Sequence, residues 1–424
     1  MPVFTRTWPV WVVLASGLLY STAESARLMD LAMLAREARL AGDNKGWLEH
    51  GQRVLGLAPD HPDLLISVAR ALAANGSFDD GSAHLEDAIR RGAGFDLSTF
   101  PEFKAAPDTA RLRGLRDAAL KNLAPVAAPE VFLVLQDESL RPEGISWDPL
   151  GRHLYISSLN GEIWRADLAG KLERFAGPGS GLREVLGLKV DAQRRLLWAV
   201  TGVFPDIIPA PGGPKKDVGT TGLHAYDLNA GKRARACDLD ERPTLHAFND
   251  MALASNGDVY ASDSPDGAIY RLSANSCKLD RILHDTTVSF PNGIALAPDG
   301  SHLYVAHVEG ISAVDVRTGK RVLLPVPNNA AVNSIDGLVW DGKDLLGIQP
   351  SPYLARVARI RLADDGLSVL EVSTMSSRPP VGLNPATGVV VDDHYYMVAG
   401  VPDAIAIPAG QPRPRSHILR ARVR

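Results

Sequence analysis

The chain has 424 residues and only 2 cysteines, no surplus of basic charge, and no apolar run long enough to span a bilayer. Each absence excludes something. Cys237 and Cys277 are too few for a disulfide framework or a thiolate zinc site. With 45 Lys+Arg against 49 Asp+Glu, the formal net charge of −4 leaves no cationic excess to neutralise phosphates, which argues against a nucleic-acid binder. No GxSxG elbow, P-loop or His-Glu-x-x-His motif occurs, so serine-hydrolase, NTPase and zincin readings fall away.

What is present suits a globular protein of more than one unit. Hydrophobic residues make up 45% of the chain, and its length suits two or three domains. Gly 38 and Pro 30 favour a turn-rich fold of many short strands. Residues 1–23 carry one charge, Arg6, ahead of an apolar run from Trp8 to Tyr20, then small residues Ser21-Thr22-Ala23. That run is shorter than the roughly 20 residues of a membrane span, and the pattern is that of a secretory signal peptide. After its removal the chain is expected to be soluble, with no membrane partner, and exported to a periplasm or beyond. Export permits a Cys237–Cys277 disulfide, although the sequence leaves open whether the two sulfurs meet.

Residues 25–122 show helical spacing, as in Leu28, Leu31, Leu34, Ala35 and Ala38. A repeat of period 34 relates Leu31 to Leu65, Ala35 to Ala69, Arg36 to Arg70 and Gly42 to Gly76. Each glycine falls where a helix would end in a left-handed residue. This module resembles two tetratricopeptide repeats over about 25–94 with a capping helix near 107–122, although the usual aromatic landmarks are missing. Two repeats are fewer than such arrays need, so the module is expected to bury one face against the rest of the chain. It reads either as a partner-binding groove for another protein or as a structural prefix. Residues 123–130 read as a linker.

From residue 131 onward the period is strand-like. One unit recurs six times, starting at Glu143, Leu186, Asn249, Asn292, Asp336 and Thr387, with spacings of 43, 63, 43, 44 and 51 residues. Repeats of this length with short strands are the signature of propeller blades. The expected fold is mainly β: a six-bladed β-propeller over 131–424 preceded by the small all-α module. VFLVL at 131–135 is expected to supply the outer strand of the last blade and close the ring.

The first residues of the inner strands converge at one mouth of a propeller's channel. Glu143, Asn249, Asn292 and Asp336 therefore place oxygen ligands around one axis, with two negative charges to balance a divalent cation. Hard oxygen ligands favour Ca2+, with Mn2+, Mg2+ or Zn2+ possible. Singly, Asn-Gly and Asp-Gly are ordinary turn dipeptides. Jointly, four ligand-type residues at one repeat position point to a metal site.

The segments RPEGISWD, HAFNDMAL, FPNGIALAPDGSHLYVA and SIDGLVWDG resemble the senescence-marker-protein/gluconolactonase family, with paraoxonases, bacterial lactonases and strictosidine synthases as more distant relatives. The resemblance covers about 140–350 and does not touch the helical module. It implies Glu143, Asn249, Asn292 and Asp336 as metal ligands, and an enzyme of the metal-dependent lactonase or esterase type acting on a small-molecule lactone or ester. No sugar-binding arginine pattern accompanies it.

Two long loops, from Gly202 and from Gly400, are expected to roof the mouth. Repeat alignment places Ser158, Thr201, Asp263, His307 and Gln349 in an outer ring around the pocket. The expected chemistry is hydrolysis in which the cation polarises a carbonyl and a general base activates water. Candidate catalytic residues are Asp336, His246 and His307, with Asp263 also considered as a base. The competing reading is a non-catalytic propeller and helical-repeat scaffold with a structural calcium. A strictosidine-synthase-like condensing enzyme is a third.

Overall fold

Residues 25–90 form two helix pairs, with Gly42 (φ 75°) turning the chain inside the first and Gly76 (φ 83°) inside the second, in a computed structural model that describes residues 25–204, 220–380, 383–400 and 414–423. The signal-peptide reading of 1–23 and most of both long loops lie outside the described residues. The helices are α1 (Ser25–Leu40), α2 (Asn44–Leu57), α3 (Pro62–Ala74), α4 (Phe78–Arg90) and α5 (Ala110–Asn122). Their starts are capped locally. Asp43 accepts from Gly46 N at 2.9 Å, the His61 ring from Asp63 N at 3.3 Å, and Thr109 Oγ1 from Leu112 N at 3.1 Å. α3 is the central helix: Leu65, Ile66, Ala69 and Ala73 are buried with Leu85, Phe95, Phe103 and Leu115 in one core. Among the described residues, no helix is long and apolar enough to cross a membrane.

The rest of the chain forms six sheets, each of four strands, giving the six-bladed propeller. Blade I is β2 (Pro142–Asp148), β3 (His153–Ser158), β4 (Glu162–Asp167) and β5 (Leu172–Ala176). Blade II is β6 (Glu184–Asp191), β7 (Leu196–Gly202), β8 (Thr220–Asp227) and β9 (Arg233–Asp240). Blade III is β10 (Phe248–Leu253), β11 (Val259–Asp263), β12 (Ala268–Leu272) and β13 (Leu279–His284). Blade IV is β14 (Ile294–Leu296), β15 (His302–His307), β16 (Gly310–Asp315) and β17 (Arg321–Leu323). Blade V is β18 (Leu338–Asp341), β19 (Asp344–Gln349), β20 (Arg356–Leu362) and β21 (Val369–Ser377). Blade VI joins β22 (Asn384–Val391), β23 (His394–Gly400) and β24 (His417–Arg422) to β1 (Glu130–Val134). β1 pairs antiparallel with β24, Val131 opposite Leu419, so the start of the propeller closes its last blade as the sequence suggests. Closure leaves the ring no open sheet edge between first and last blades.

The inner strands carry β-bulges at their first residues, between Pro142 and Ile145, Val185 and Leu188, Phe248 and Met251, and Pro385 and Gly388. A bulge inserts one unpaired residue and re-aims its side chain. The recurring glycine has a packing cause. A Cβ on Gly144 would strike the Leu186 carbonyl, one on Gly293 the Asp336 carbonyl, and one on Gly337 would stand 2.7 Å from Thr387 Cα. Each inner strand thus abuts the backbone of the next around the axis. The two cysteines are bonded: Cys237 on β9 to Cys277 in the turn after β12, tying blade II to blade III.

The helical module docks on the face that carries the inner-strand starts, over blades IV and V. With His61 Nδ1 accepting from Asp63 N, His61 Nε2 donates to Ser334 Oγ at 2.9 Å. Ser351 Oγ donates to Asp63 at 2.6 Å, Arg91 to the Ala330 carbonyl at 2.8 Å, and Gly94 N to the Tyr353 carbonyl at 2.8 Å. Leu28, Leu31, Val54 and Leu64 share an apolar cluster with Val308 and Phe290 of blade IV. Tyr353 meets Phe95 and Phe100 edge-on at 6.1 and 6.3 Å. The face that two isolated repeats could not bury alone is buried here.

Candidate metal centre at the propeller mouth

Glu143 lies in β2 and Asn249 in β10; Asn292 and Asp336 stand two residues before β14 and β18. All are at the same end of their inner strands. Glu143, Asn292 and Asp336 are half-buried, and Asn249 is buried. Asn292 Nδ2 donates to Asp336 Oδ1 at 2.8 Å, joining blades IV and V. Asn249 Nδ2 donates to Ser264 Oγ at 3.1 Å, and that hydroxyl donates to the Pro291 carbonyl at 2.7 Å. The Glu143 backbone is held from blade VI, whose Thr387 Oγ1 donates to the Glu143 carbonyl at 2.7 Å.

Burial, then the Glu143 carboxylate, then that of Asp250, push the Asp336 carboxyl well above its ordinary range, against the opposing bond from Asn292. Asp336 and Glu143 are therefore close enough to repel. Asp250, which the sequence reading passed over, occupies the position where other blades carry glycine, and Lys189 Nζ stands 3.3 Å from it. Tyr395 has a buried hydroxyl with no hydrogen-bond partner among the described residues and feels both Asp250 and Asp336. Its only sequence signal is a tyrosine in the second strand of a blade.

The two histidines differ. His307 has both ring nitrogens engaged, Nδ1 with Glu309 at 2.7 Å and Nε2 with Ser312 Oγ at 2.8 Å. With Nδ1 held by the Glu309 carboxylate, Nε2 accepts from the Ser312 hydroxyl, and neither partner belongs to the ring of four. His246 Nδ1 is 2.6 Å from Asp263, and its other neighbours are Glu241 and Tyr270. None of these belongs to the ring of four.

The residues of the expected outer ring are held by their own hydrogen bonds. Ser158, Thr201, Asp263, His307 and Gln349 are buried. Ser158 Oγ accepts from Arg141 N at 3.2 Å, Thr201 Oγ1 from Arg183 N at 2.8 Å, and Asp263 from Ala247 N at 3.0 Å, while Gln349 donates to the Asn333 carbonyl at 3.0 Å. These side chains pin the backbone that leads into each inner strand. Of the expected roof, the described part includes Phe204, which meets Phe290 at 6.1 Å and so spans from blade II to blade IV.

Oxygen ligands fit this site on two observations. Asn292 Oδ1 is buried without a hydrogen-bond partner among the described residues. Both asparagine amide nitrogens are tied to protein acceptors, which turns their carbonyl oxygens away from those acceptors.

Residues 141–346 match the family model described as "SMP-30/Gluconolactonase/LRE-like region". No curated protein matches the chain. Among solved structures, the chain is similar to regucalcin, a calcium-binding protein from Agrobacterium tumefaciens str. C58, with 17% identity over 71% of this chain and 98% of that one, TM-score 0.49. It is similar to a putative oxidoreductase (glucose dehydrogenase) from Thermus thermophilus, with 16% identity over 70% and 99%, TM-score 0.47. A luciferin-regenerating enzyme gives 13% identity over 70% and 95%, TM-score 0.46.

Proposed function

We propose, from the match of residues 141–346 to the SMP-30/gluconolactonase/LRE-like family model, that the chain is an exported, metal-dependent hydrolase of the lactonase or esterase type. The observation that carries this reading is the Asn292–Asp336 pair, with its partnerless buried oxygen and its neighbouring carboxylate Glu143. Two like charges crowded at a channel mouth are costly unless a cation stands between them. Glu143, Asn249, Asn292 and Asp336 would hold a divalent ion, Ca2+ by the hardness of its ligands, which when bound polarises a lactone or ester carbonyl.

The residues of the chain supply the rest. In this reading a substrate reaches the mouth past the half-buried Glu143 and Asp336. Asp336 Oδ1 is engaged by Asn292, and Asp336 Oδ2 is the oxygen this reading assigns to the proton of the attacking water. In this reading Phe204 and Phe290, the latter two residues before Asn292, form one wall of the mouth. The helical module in this reading is a fixed wall over blades IV and V. Export is supported by the Cys237–Cys277 bond, which suits an oxidising compartment.

The test is a panel of lactones and esters assayed with Ca2+, with chelator, and with Mn2+, Mg2+ or Zn2+ added back. The reading expects turnover that chelator abolishes and that Glu143→Gln and Asp336→Asn remove while the fold persists. Full activity in both variants would sink it. Stoichiometric Ca2+ binding with no turnover of any substrate would favour the scaffold reading.

A further inference from the structure

A second group of metal-type side chains gathers on blade III, and it includes none of the four mouth residues. His246 precedes β10, Asp263 ends β11, and Asp266 follows in the turn to β12. One ligand atom from each of these residues lies within 4.8 Å of the others. Glu241, just after β9, brings its Oε2 to 3.6 Å from His246 Nε2. Tyr270 on β12 meets the His246 ring edge-on at 5.9 Å.

Two buried polar atoms here have no hydrogen-bond partner among the described residues: His246 Nε2 and the Tyr270 hydroxyl. Both residues are almost wholly buried, at 0% and 1% exposure. An orphaned polar atom in the interior costs about 1–3 kcal/mol, so two at one place need a cause. Burial, and after it the charges of Asp263, Asp266 and Glu241, push the Tyr270 hydroxyl above its ordinary range.

His246 is oriented as a metal-bound histidine is. Its Nδ1 stands 2.6 Å from Asp263 Oδ2, and Ala247 N donates to Asp263 Oδ1 at 3.0 Å, which fixes the carboxylate. A proton shared between Nδ1 and Asp263 leaves the Nε2 lone pair directed elsewhere, the arrangement in which a carboxylate orients a ligand histidine. With no cation, that lone pair faces a Glu241 oxygen at 3.6 Å, and the two repel. If Nε2 is instead protonated, 3.6 Å is too long for its hydrogen bond. Two ligand atoms on a tetrahedral ion with bonds of about 2.0–2.2 Å stand about 3.4 Å apart, close to the spacing found.

The charge count agrees. Asp263, Asp266 and Glu241 face Arg281, whose Nη1 is 3.3 Å from Asp266, and His284, at 3.7 Å from Asp266. One guanidinium does not balance three carboxylates, so the remaining balance falls to the His246 and His284 rings or to a bound cation. We propose that His246 Nε2, Glu241 and Asp266, with the Tyr270 hydroxyl in reach, bind one divalent transition-metal ion of the Zn2+ type, at a site separate from the mouth. Imidazole beside carboxylates selects Zn2+, Mn2+ or Co2+, whereas Ca2+ prefers an all-oxygen set like that of the mouth. Glu241 is half exposed and gives the ion its way in.

The experiment is calorimetric titration of the full-length oxidised chain with Zn2+ in saturating Ca2+, together with the absorption spectrum of the Co2+ form. The expected result is one Zn2+ per chain and a Co2+ spectrum showing nitrogen ligation. Glu241→Gln, an exposed change that leaves the fold alone, weakens Zn2+ at least tenfold. His246→Gln abolishes binding and the nitrogen signature, and Glu143→Gln changes neither. The proposal is overturned if no Zn2+ binds once Ca2+ is saturating. It is equally overturned if Zn2+ binds but Glu241→Gln leaves the affinity unchanged, or if Glu143→Gln removes it. Since the readout is Zn2+ binding in the presence of Ca2+, it stands or falls independently of any hydrolase activity.

Discussion

Asn292 Nδ2 donates to Asp336 Oδ1 across 2.8 Å, so the amide that starts one blade is bonded to the carboxylate that starts the next. The bond orients the amide so that its oxygen, buried and without a hydrogen-bond partner among the described residues, is available to a cation. Asn292→Ala removes that oxygen and releases Asp336 without adding charge. The expected result is at least a tenfold loss of Ca2+ affinity by calorimetry, with the circular dichroism of the propeller unchanged. Unaltered affinity would mean that Asn292 is only a turn residue.

The glycine beside Asn292 is a packing element. Its hydrogen faces the Asp336 carbonyl, and a methyl group there meets backbone that cannot give way. Gly293→Ala is expected to destabilise the protein by about 1–3 kcal/mol, the usual range for overpacking. A urea titration checks this. The same change at Gly300, where nothing lies within 4 Å but φ is 75°, separates steric collision from backbone strain.

The register of the mouth was legible in the sequence because one physical requirement repeats. Blades pack so closely at the axis that glycine recurs beside the first residue of five of the six inner strands, Asp250 being the exception, and this marks the position even where the ligand-type residue changes. Closure by β1 was legible for a similar reason, since a propeller edge must be paired. The docking of the helices was legible only as a need, not as a place. His61 meets Ser334 across 273 residues and Asp63 meets Ser351 across 288, and no local pattern announces either pair. For His307, repeat alignment gives the position along a strand but not the partners. Glu309 and Ser312, two and five residues onward, take both its nitrogens. Blade III hid its cluster because His246 comes from the lead into β10 while Asp263 and Asp266 come from the β11–β12 turn.

The disulfide joins neighbouring blades across 40 residues of chain. Linking those residues restricts the unfolded chain, and for a loop of this length the stabilisation is about 3–4 kcal/mol by the entropic account. Reduction, or Cys237→Ser with Cys277→Ser, is expected to lower the urea midpoint without changing the mouth. Ca2+ affinity measured on the reduced protein should equal that of the oxidised one. A drop in Ca2+ affinity on reduction would show that the strap holds blade III in place for Asn249.

Asp63 makes the seam between the helices and the propeller sensitive to pH. It is buried at the start of α3, and burial pushes its carboxyl up to about 7 against the opposing bond from Ser351. A carboxyl raised in the folded state binds its proton more tightly there than in the unfolded chain. Its contribution to stability is therefore greatest at low pH, declines as pH rises from about 4 to about 7, and is flat above. His61 beside it acts in the opposite sense. Burial lowers its imidazole to about 4, so stability is lost as pH falls from 6.5 toward 4, with Glu309 the charged group that moderates this. Asp63→Asn keeps an acceptor for Ser351 and removes only the carboxyl titration. The difference in urea midpoint between variant and parent should grow in the variant's favour from pH 5 to pH 7.5. A difference that does not vary with pH would show that Asp63 is ionised in the folded protein across that interval.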